Sequence, residues 1–393
     1  MAAAVTSGLL ARHRPTWAEI DRDALHHNLR QVRERIGDRR ILAVVKADAY
    51  GHGAVGVARS LAGAGVAMFG VALPEEGVAL RRAGIDRPIL LLGGITPEQA
   101  GLVAEHGFIP AVYRADQVEA LDAAAARAGR PLDVHLKIDT GMGRLGVPAP
   151  DVGAFGEILA RAAGVRLAGA FSHLAVADAP GDPFTAAQIE RFRGAVGTLR
   201  RAGLEPVDLH LANSAAISDH PPAWLTLVRP GIVLYGYPPS DQVSPLDWLP
   251  VLSLKTRIIY LKDVAQGTSL GYGRTFVTSR PSRIASLAAG YDDGLPRDLG
   301  NRGQVLVGGR FAPIVGRISM DLTTIDVTDL PGVRLHDEVV LIGRDGGERI
   351  GADRIAAQSG RIVWEVLCGI GARVPRLYRG REGETLDSRF GCL

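Results

Sequence analysis

Between residues 41 and 236, short apolar runs alternate with alanine-rich stretches of helical composition. The runs are Ile41–Lys46, Met68–Ala72, Pro88–Gly93, Ile109–Val112, Asp133–Ile138, Leu167–His173, Asp208–Ala212 and Leu227–Tyr235. Most are almost continuously apolar, as strands of a parallel sheet are when both of its faces are covered. The segments between them, such as Ala54–Ala64, Pro74–Ala83, Pro97–His106, Ala115–Ala128 and Ala186–Ala202, predict helices set off by Gly or Pro. Eight strand–helix units in succession predict an α/β fold, a (β/α)8 barrel. The pattern breaks at Pro238–Pro250, rich in Pro, Ser and Asp. Strand-like runs follow at Ser253–Leu261, Arg283–Ala288, Gln304–Val307, Thr323–Val327 and Glu338–Ile342, with turns rich in Gly, Asp and Asn between them. They predict a mostly antiparallel β domain closed by a short helix near Ala352–Gln358. The expected division is 1–243 for an N-terminal extension plus the barrel, and 244–393 for the β domain.

Composition narrows the class. The 393 residues are 47% hydrophobic, enough for a large core, and the 22% charged fraction argues against wholesale disorder. Acids and bases are interleaved and the formal charge is only +3, so no stripe for nucleic acid stands out. Two cysteines, Cys368 and Cys392, cannot make a disulfide framework, and no metal-ligand spacing occurs. The first 13 residues, MAAAVTSGLLARH, lack the basic start of a signal peptide, and no later segment resembles a membrane span. These features lead to the expectation of a cytoplasmic protein with no metal and no membrane partner. Of 45 basic residues only four are lysines: Lys46, Lys137, Lys255 and Lys262.

Lys46 closes the first barrel run in AVVKADAYGHG, at the strand end where barrel enzymes place their sites. A lysine there is costly unless it is paired, deprotonated or covalently used, although a lysine that snorkels to solvent is equally compatible with the position. HLANSAA (210–216) runs from a strand through Asn213 and Ser214 into a helix start. Ser214 is expected to cap that helix, a geometry that also binds phosphate. In VRPGIVLYG (228–236), Gly231 lets the backbone approach an anion closely. These are the turns after strands seven and eight, the usual phosphate corner of this barrel. A lysine after strand one and a phosphate corner after the last two suggest a phosphorylated aldehyde cofactor.

Nine segments, AVVKADAYGHG, LKIDTGMGRLG, FSHLA, HLANSAA, RPGIVLYG, LGYGRTF, GYDDG, GRISMD and RVPRLY, occur in an order that resembles the alanine racemase family from about Pro15 to Tyr378. The resemblance implies a barrel binding pyridoxal 5'-phosphate, then the β domain. It assigns Lys46 as the Schiff-base lysine and one catalytic base, and Tyr272 as the second base. Tyr50, Ser214, Gly231 and Ile232 are implied as the phosphate cradle, with Asn213 beside them. Arg229 is implied to face the pyridine nitrogen, with His173 next to the ring. Arg144 and Met320 are implied as substrate ligands, Asp321 and Tyr291 as the entrance, and Lys137 as a lysine often carbamylated. The implied partners are a small amino acid and a second subunit, in a homodimer with shared sites. The implied role is supply of D-alanine for peptidoglycan.

These groups suit racemisation. Arginine beside the ring nitrogen disfavours its protonation, which we expect to limit stray protonation of the cofactor. A proton must move on both faces of the α-carbon, so two fixed bases serve better than one. A phenol, with an ordinary pKa of about 10, needs a neighbouring donor or cation to act near neutrality, and His173 linked to Arg229 is the expected relay. One position departs from the family. Trp364, in IVWEVL, stands where a phosphate-binding tyrosine is usual, and indole donates one N–H and accepts nothing. Ser319 leaves room for alanine or serine. A serine or broad-specificity racemase, and a non-catalytic pyridoxal-phosphate-binding protein, are the alternatives kept open.

Overall fold

The computed structural model describes residues 14–381, 383 and 385–387, so the expected N-terminal extension and Cys392 lie outside the described residues. The chain forms two compact units. One comprises His26–Ala49 and Val57–Leu249; the other comprises residues 14–25, Tyr50–Gly56 and the described residues from Pro250 onward.

The first unit is the barrel. Its parallel strands, Arg40–Val44, Met68–Val71, Ile89–Leu91, Ile109–Val112, Leu132–Asp139, Val165–Phe171, Asp208–His210 and Leu227–Val228, pair in chain order, and the last pairs with the first. The remaining gap is bridged by Thr226 N–H donating to Leu209 O at 3.1 Å and Arg229 N–H donating to Ala212 O at 3.0 Å. The apolar runs are continuous because the strands are covered on both sides, as Leu42, Phe69, Leu90, Ala111 and Leu136 show by being wholly buried. The helix Ala115–Ala128 buries Val118, Leu121, Ala124 and Ala125 along one stripe. It stops at Gly129, whose φ of +65° is the usual left-handed helix end.

One expected strand is corrected. Leu227–Tyr235 is a strand only at Leu227–Val228, and Ile232–Tyr235 winds into a 3-10 turn. Pro230 has no N–H for a ladder, and the later residues are apolar because they are buried, not because they are extended.

The second unit is mostly antiparallel. Its long strand Leu252–Val264 pairs antiparallel with Trp17–Asp21, Ser282–Leu287 and Glu338–Asp345. Trp17–Asp21 pairs parallel with Arg376–Arg379. Buried Arg376 donates from Nε and Nη2 to Gly51 O at 3.1 and 2.9 Å, and the Tyr378 hydroxyl donates to His52 O at 2.8 Å. Gly51 is obligatory here: its φ is +80°, and a Cβ would lie 2.1 Å from Leu367 O.

Candidate active site

Lys46 lies two residues past the first barrel strand and opens a left-handed turn. Ala47, Asp48, Ala49 and Tyr50 all have φ between +51° and +56°. Such a conformation costs an L-residue about 1–2 kcal/mol, so four in a row must be held in place. Ala47 N–H donates to Glu76 Oε1 at 2.6 Å, Ala49 N–H donates to Val45 O at 2.8 Å, and Glu76 Oε2 accepts from Ala72 N–H at 2.7 Å. One carboxylate thus ties the turn carrying Lys46 to the loop after strand two. Strain concentrated beside a single strand-end lysine marks a functional position rather than a packing one.

The corner after strands seven and eight also forms. Asn213, not Ser214, caps the helix Ser214–Asp219, its Oδ1 accepting from Ala216 N–H at 3.1 Å. The buried Ser214 hydroxyl instead accepts from Gly231 N–H at 2.9 Å, which joins the two turns. Ile232 then opens the 3-10 turn, whose first amides have no partner within it. Clustered amides at two element starts are what an anion needs.

Arg229 is buried. It donates from Nη1 to His210 Nδ1 at 3.1 Å and to His210 O at 2.8 Å. From Nη2 it donates to Ser172 O at 2.8 Å and Leu211 O at 3.1 Å, with His173 Nδ1 at 3.4 Å. Every one of these acceptors is neutral. Burial pushes the guanidinium down to about 9, so it still carries its charge at neutral pH. Burial, then the charges of Arg229, Lys137, Arg144 and Lys46, push His173 well below the usual histidine range. A neutral His173 that accepts from Arg229 at Nδ1 keeps its proton on Nε2. Lys137, also buried, is pushed down to about 8 by burial and then by Arg229, Arg144 and Lys46. Its Nζ sits 4.7 Å from the centre of the Phe171 ring. Lys137, Arg144 and His173 line one cleft with Met142 and Ser172.

The barrel unit therefore gathers Lys46, Lys137, Arg144, His173, Asn213, Ser214, Arg229, Gly231 and Ile232. The fit to pyridoxal 5'-phosphate rests on the donor set. It offers four cations, paired amides for a phosphate, a lysine amine, and an arginine whose Nε–H has no protein acceptor among the described residues. That donor can take a ring nitrogen that stays unprotonated.

The remaining site residues belong to the other unit. Tyr50 is buried, and burial, then Cys368, pushes its hydroxyl above the usual phenol range, which keeps it a proton donor. Tyr272 is 71% exposed in a turn between Gly271 and Gly273. Tyr291 N–H donates to Ser319 O at 3.0 Å and Asp292 N–H to Met320 O at 3.1 Å, which brings the exposed Tyr291 and Met320 together. Asp321 is ion-paired to Arg373 at 2.6 Å. Trp364 is half-buried in the helix Val363–Cys368. Sequence reasoning assigned no role to His135, His210, Asp293 or Arg373. His135 lies two residues before Lys137 on one strand and so shares its inward face, a signal available in DVHLKID. Among the described residues, no cluster of His, Cys, Asp or Glu could hold a metal, and no helix is long and apolar enough to cross a membrane.

A barrel with a lysine past its first strand and a phosphate corner past its last two, joined to an antiparallel β unit, defines the class of barrel enzymes that carry pyridoxal phosphate. Family models bear this out: "Alanine racemase, N-terminal domain" matches residues 20–239 and "Alanine racemase, C-terminal domain" matches 251–378. The chain belongs to the alanine racemase family. It is 46% identical over 372 residues to an alanine racemase of Halothermothrix orenii, a match covering 94% of this chain and 98% of the relative. The solved alanine racemase of Clostridium difficile 630 superposes with a TM-score of 0.92 at 35% identity, covering 96% of this chain and 99% of that one. Bartonella henselae alanine racemase, solved with covalently bound pyridoxal phosphate, superposes at 0.83 and 30% identity, covering 93% and 99%.

Proposed function

We propose that this chain interconverts L- and D-alanine with pyridoxal 5'-phosphate held on Lys46, and so supplies D-alanine for peptidoglycan. The observation that carries the reading is the cationic pocket itself: the charges of Lys46, Arg144 and Arg229 all reach Lys137, and with it His173. An anionic cofactor and a carboxylate substrate balance that charge. Ser214, Gly231, Ile232, Asn213 and Tyr50 would hold the phosphate, and Arg229 the ring nitrogen. When bound, pyridoxal phosphate withdraws electron density from the substrate's α-carbon and acidifies its proton. Lys46 takes or returns that proton on one face. Tyr272 of a second copy serves the other, and His173 Nε2–H steadies the phenolate. Arg144 and Met320 position the carboxylate, and Tyr291 and Asp321 restrict entry. The exposure of Tyr272, Met320 and Tyr291 on their own unit supports a homodimer with shared sites. We place the enzyme in the cytoplasm, and we keep 243/244 only as the point where the chain leaves the barrel, since Trp17–Asp21 and Tyr50–Gly56 group with the β unit.

The test is incubation with single L-amino acids in deuterated water, followed by chiral analysis. Alanine should racemise with α-deuterium in both enantiomers, and serine far more slowly. No α-exchange from any amino acid would sink the reading, while equal rates for serine would move it to a broad-specificity racemase.

Lys137 extends the proposal. With its amine at about 8, roughly a tenth is neutral at pH 7 and can add to carbon dioxide, forming an N–C bond and releasing a proton. The carbamate would supply the anion this buried cationic cluster lacks and would orient Arg144. Enzyme equilibrated with carbon-13 bicarbonate should show a carbamate resonance that Lys137→Ala lacks. Its absence from the unaltered enzyme at pH 8 would refute the modification.

A further inference from the structure

Beneath the proposed cofactor site, a line of polar groups runs down the inside of the barrel. Arg229 Nη1 lies 3.1 Å from His210 Nδ1. His210 Nε2 lies 2.8 Å from His135 Nδ1. His135 Nε2 lies 3.9 Å from Asp208 Oδ2, and the other Asp208 oxygen is ion-paired with Arg40. Both histidines are wholly buried, and His210 stacks flat on Phe171 with ring centres 4.7 Å apart. The first two links are hydrogen bonds; His135 Nε2, though buried, makes none among the described residues and meets Asp208 only electrostatically across that 3.9 Å.

The proton positions follow from one fact: arginine only donates. His210 Nδ1 must therefore be an acceptor, which puts the His210 proton on Nε2. That proton is donated to His135 Nδ1, which leaves the His135 proton on Nε2, facing the Asp208 carboxylate. Any other neutral tautomer sets two protons or two lone pairs against each other. Burial, then the charge of Arg229, keeps His210 well below the usual histidine range; burial, against the opposing pull of Asp133, holds His135 down at about 3. Both rings therefore stay neutral at working pH.

Space has been left for this arrangement. A Cβ on Gly169 would lie 2.7 Å from both Cε1 and Nε2 of His135, so any other residue at 169 would drive the ring off its line. His135 and Asp208 touch neither substrate nor cofactor in the proposed function, and packing alone would be served better by apolar side chains.

We propose that His135 and Asp208 are positioning residues which, through the fixed tautomer of His210, hold Arg229 aimed at the cofactor's ring nitrogen. The claim rests on the reading that Arg229 faces that nitrogen. The acceptor offered to Arg229 is neutral, so the guanidinium charge is not cancelled as a carboxylate would cancel it. The Asp208 charge reaches Arg229 only as polarisation through two rings. With the line broken, His210 loses its partner at Nε2 and is free to flip tautomer, which turns an N–H against Arg229.

The test compares His135→Leu, His135→Gln, Asp208→Asn and Arg229→Ala in the cofactor-loaded enzyme. Two readouts are used: the position of the bound cofactor's visible absorption band, and the number of turnovers before the cofactor is converted to its amine form. His135→Leu should shift the band and cut that number on the order of ten-fold, the worth of one buried hydrogen bond. Asp208→Asn should move both in the same direction by less. His135→Gln, whose carbonyl oxygen still accepts from His210, should stay close to the unaltered enzyme. If His135→Leu does not fold, Asp208→Asn carries the same comparison. Should Arg229→Ala shift the band while neither His135→Leu nor Asp208→Asn does, the relay is wrong. If Arg229→Ala itself leaves the band in place, the placement of Arg229 fails, and the relay's premise with it.

Discussion

Tyr272→Phe is expected to abolish α-proton exchange from one enantiomer of alanine while exchange from the other, and cofactor binding, survive. The loss should be about 10²–10⁴-fold, the usual contribution of a positioned general acid or base. Tyr272 is well suited to this test. It is 71% exposed, so removing its hydroxyl leaves no buried group unpaired within its own unit. Its turn is shaped by backbone rather than by the phenol: Gly271 and Gly273 hold φ of +69° and +71°. Folding should therefore be unchanged. Exchange measured separately from L- and D-alanine in deuterated water reads the asymmetry. Equal losses from both enantiomers would mean that one base serves both faces, and the two-base assignment would fall. Lys46→Ala should give a broader loss, because it removes the other base and the cofactor's anchor together.

The barrel was legible because its strands are buried on both sides and so stand out as apolar blocks. The same signal misled at Leu227–Tyr235, where burial continues past the strand into a 3-10 turn around Pro230 and Gly231. Apolar character reports burial, and period is needed to report shape. The strand Trp17–Asp21 could not be read from local pattern. It is five residues long, and its partners begin at Leu252 and Arg376 in sequence, so only the folded chain shows that it belongs to the β unit. Within the site, Lys46 and the two turns after strands seven and eight were visible as residue types in the right places. What Ser214 does was not. A serine at a helix start reads as a cap, yet Asn213 takes that task and leaves the Ser214 hydroxyl to Gly231. The His135–His210 pair was equally hidden, because its meaning lies in a contact between strands five and seven across the barrel interior. The assignment of Tyr272, Met320 and Tyr291 came from family resemblance alone, since an exposed tyrosine in a glycine-rich turn has no chemistry until something faces it.

The loops that carry Tyr291 and Met320 depend on one buried carboxylate, and Asp293→Ala is expected to lower both stability and activity. The Asp293 side chain is 1% exposed. It accepts from Arg14, from Arg373 Nε and Nη2 at 2.9 Å each, and from Gly290 N–H at 2.9 Å. Arg373 in turn reaches Asp321 at 2.6 Å, Asp292 at 2.9 Å and Met320 O at 3.4 Å. Breaking a buried pair by deleting one partner costs about 3–5 kcal/mol, because the charge left behind is uncompensated. Here Arg14 and Arg373 are 24% and 23% exposed, so water offsets part of that and the lower end, about 3 kcal/mol, applies. For a unit of this size the apparent Tm should fall by roughly 6–12 °C. Asp321→Ala, which removes only an exposed partner of Arg373, should cost less than about 1 kcal/mol. The functional consequence is separable from the stability loss. Below the transition, the Asp293 variant should show a raised KM for alanine, because Tyr291 and Met320 hang from the segment that Asp293 ties down through Gly290 and Arg373. Thermal melts and steady-state kinetics on the two variants decide it: an Asp293→Ala protein as stable as Asp321→Ala would mean that the arginines find other partners, and that this carboxylate does not organise the entrance.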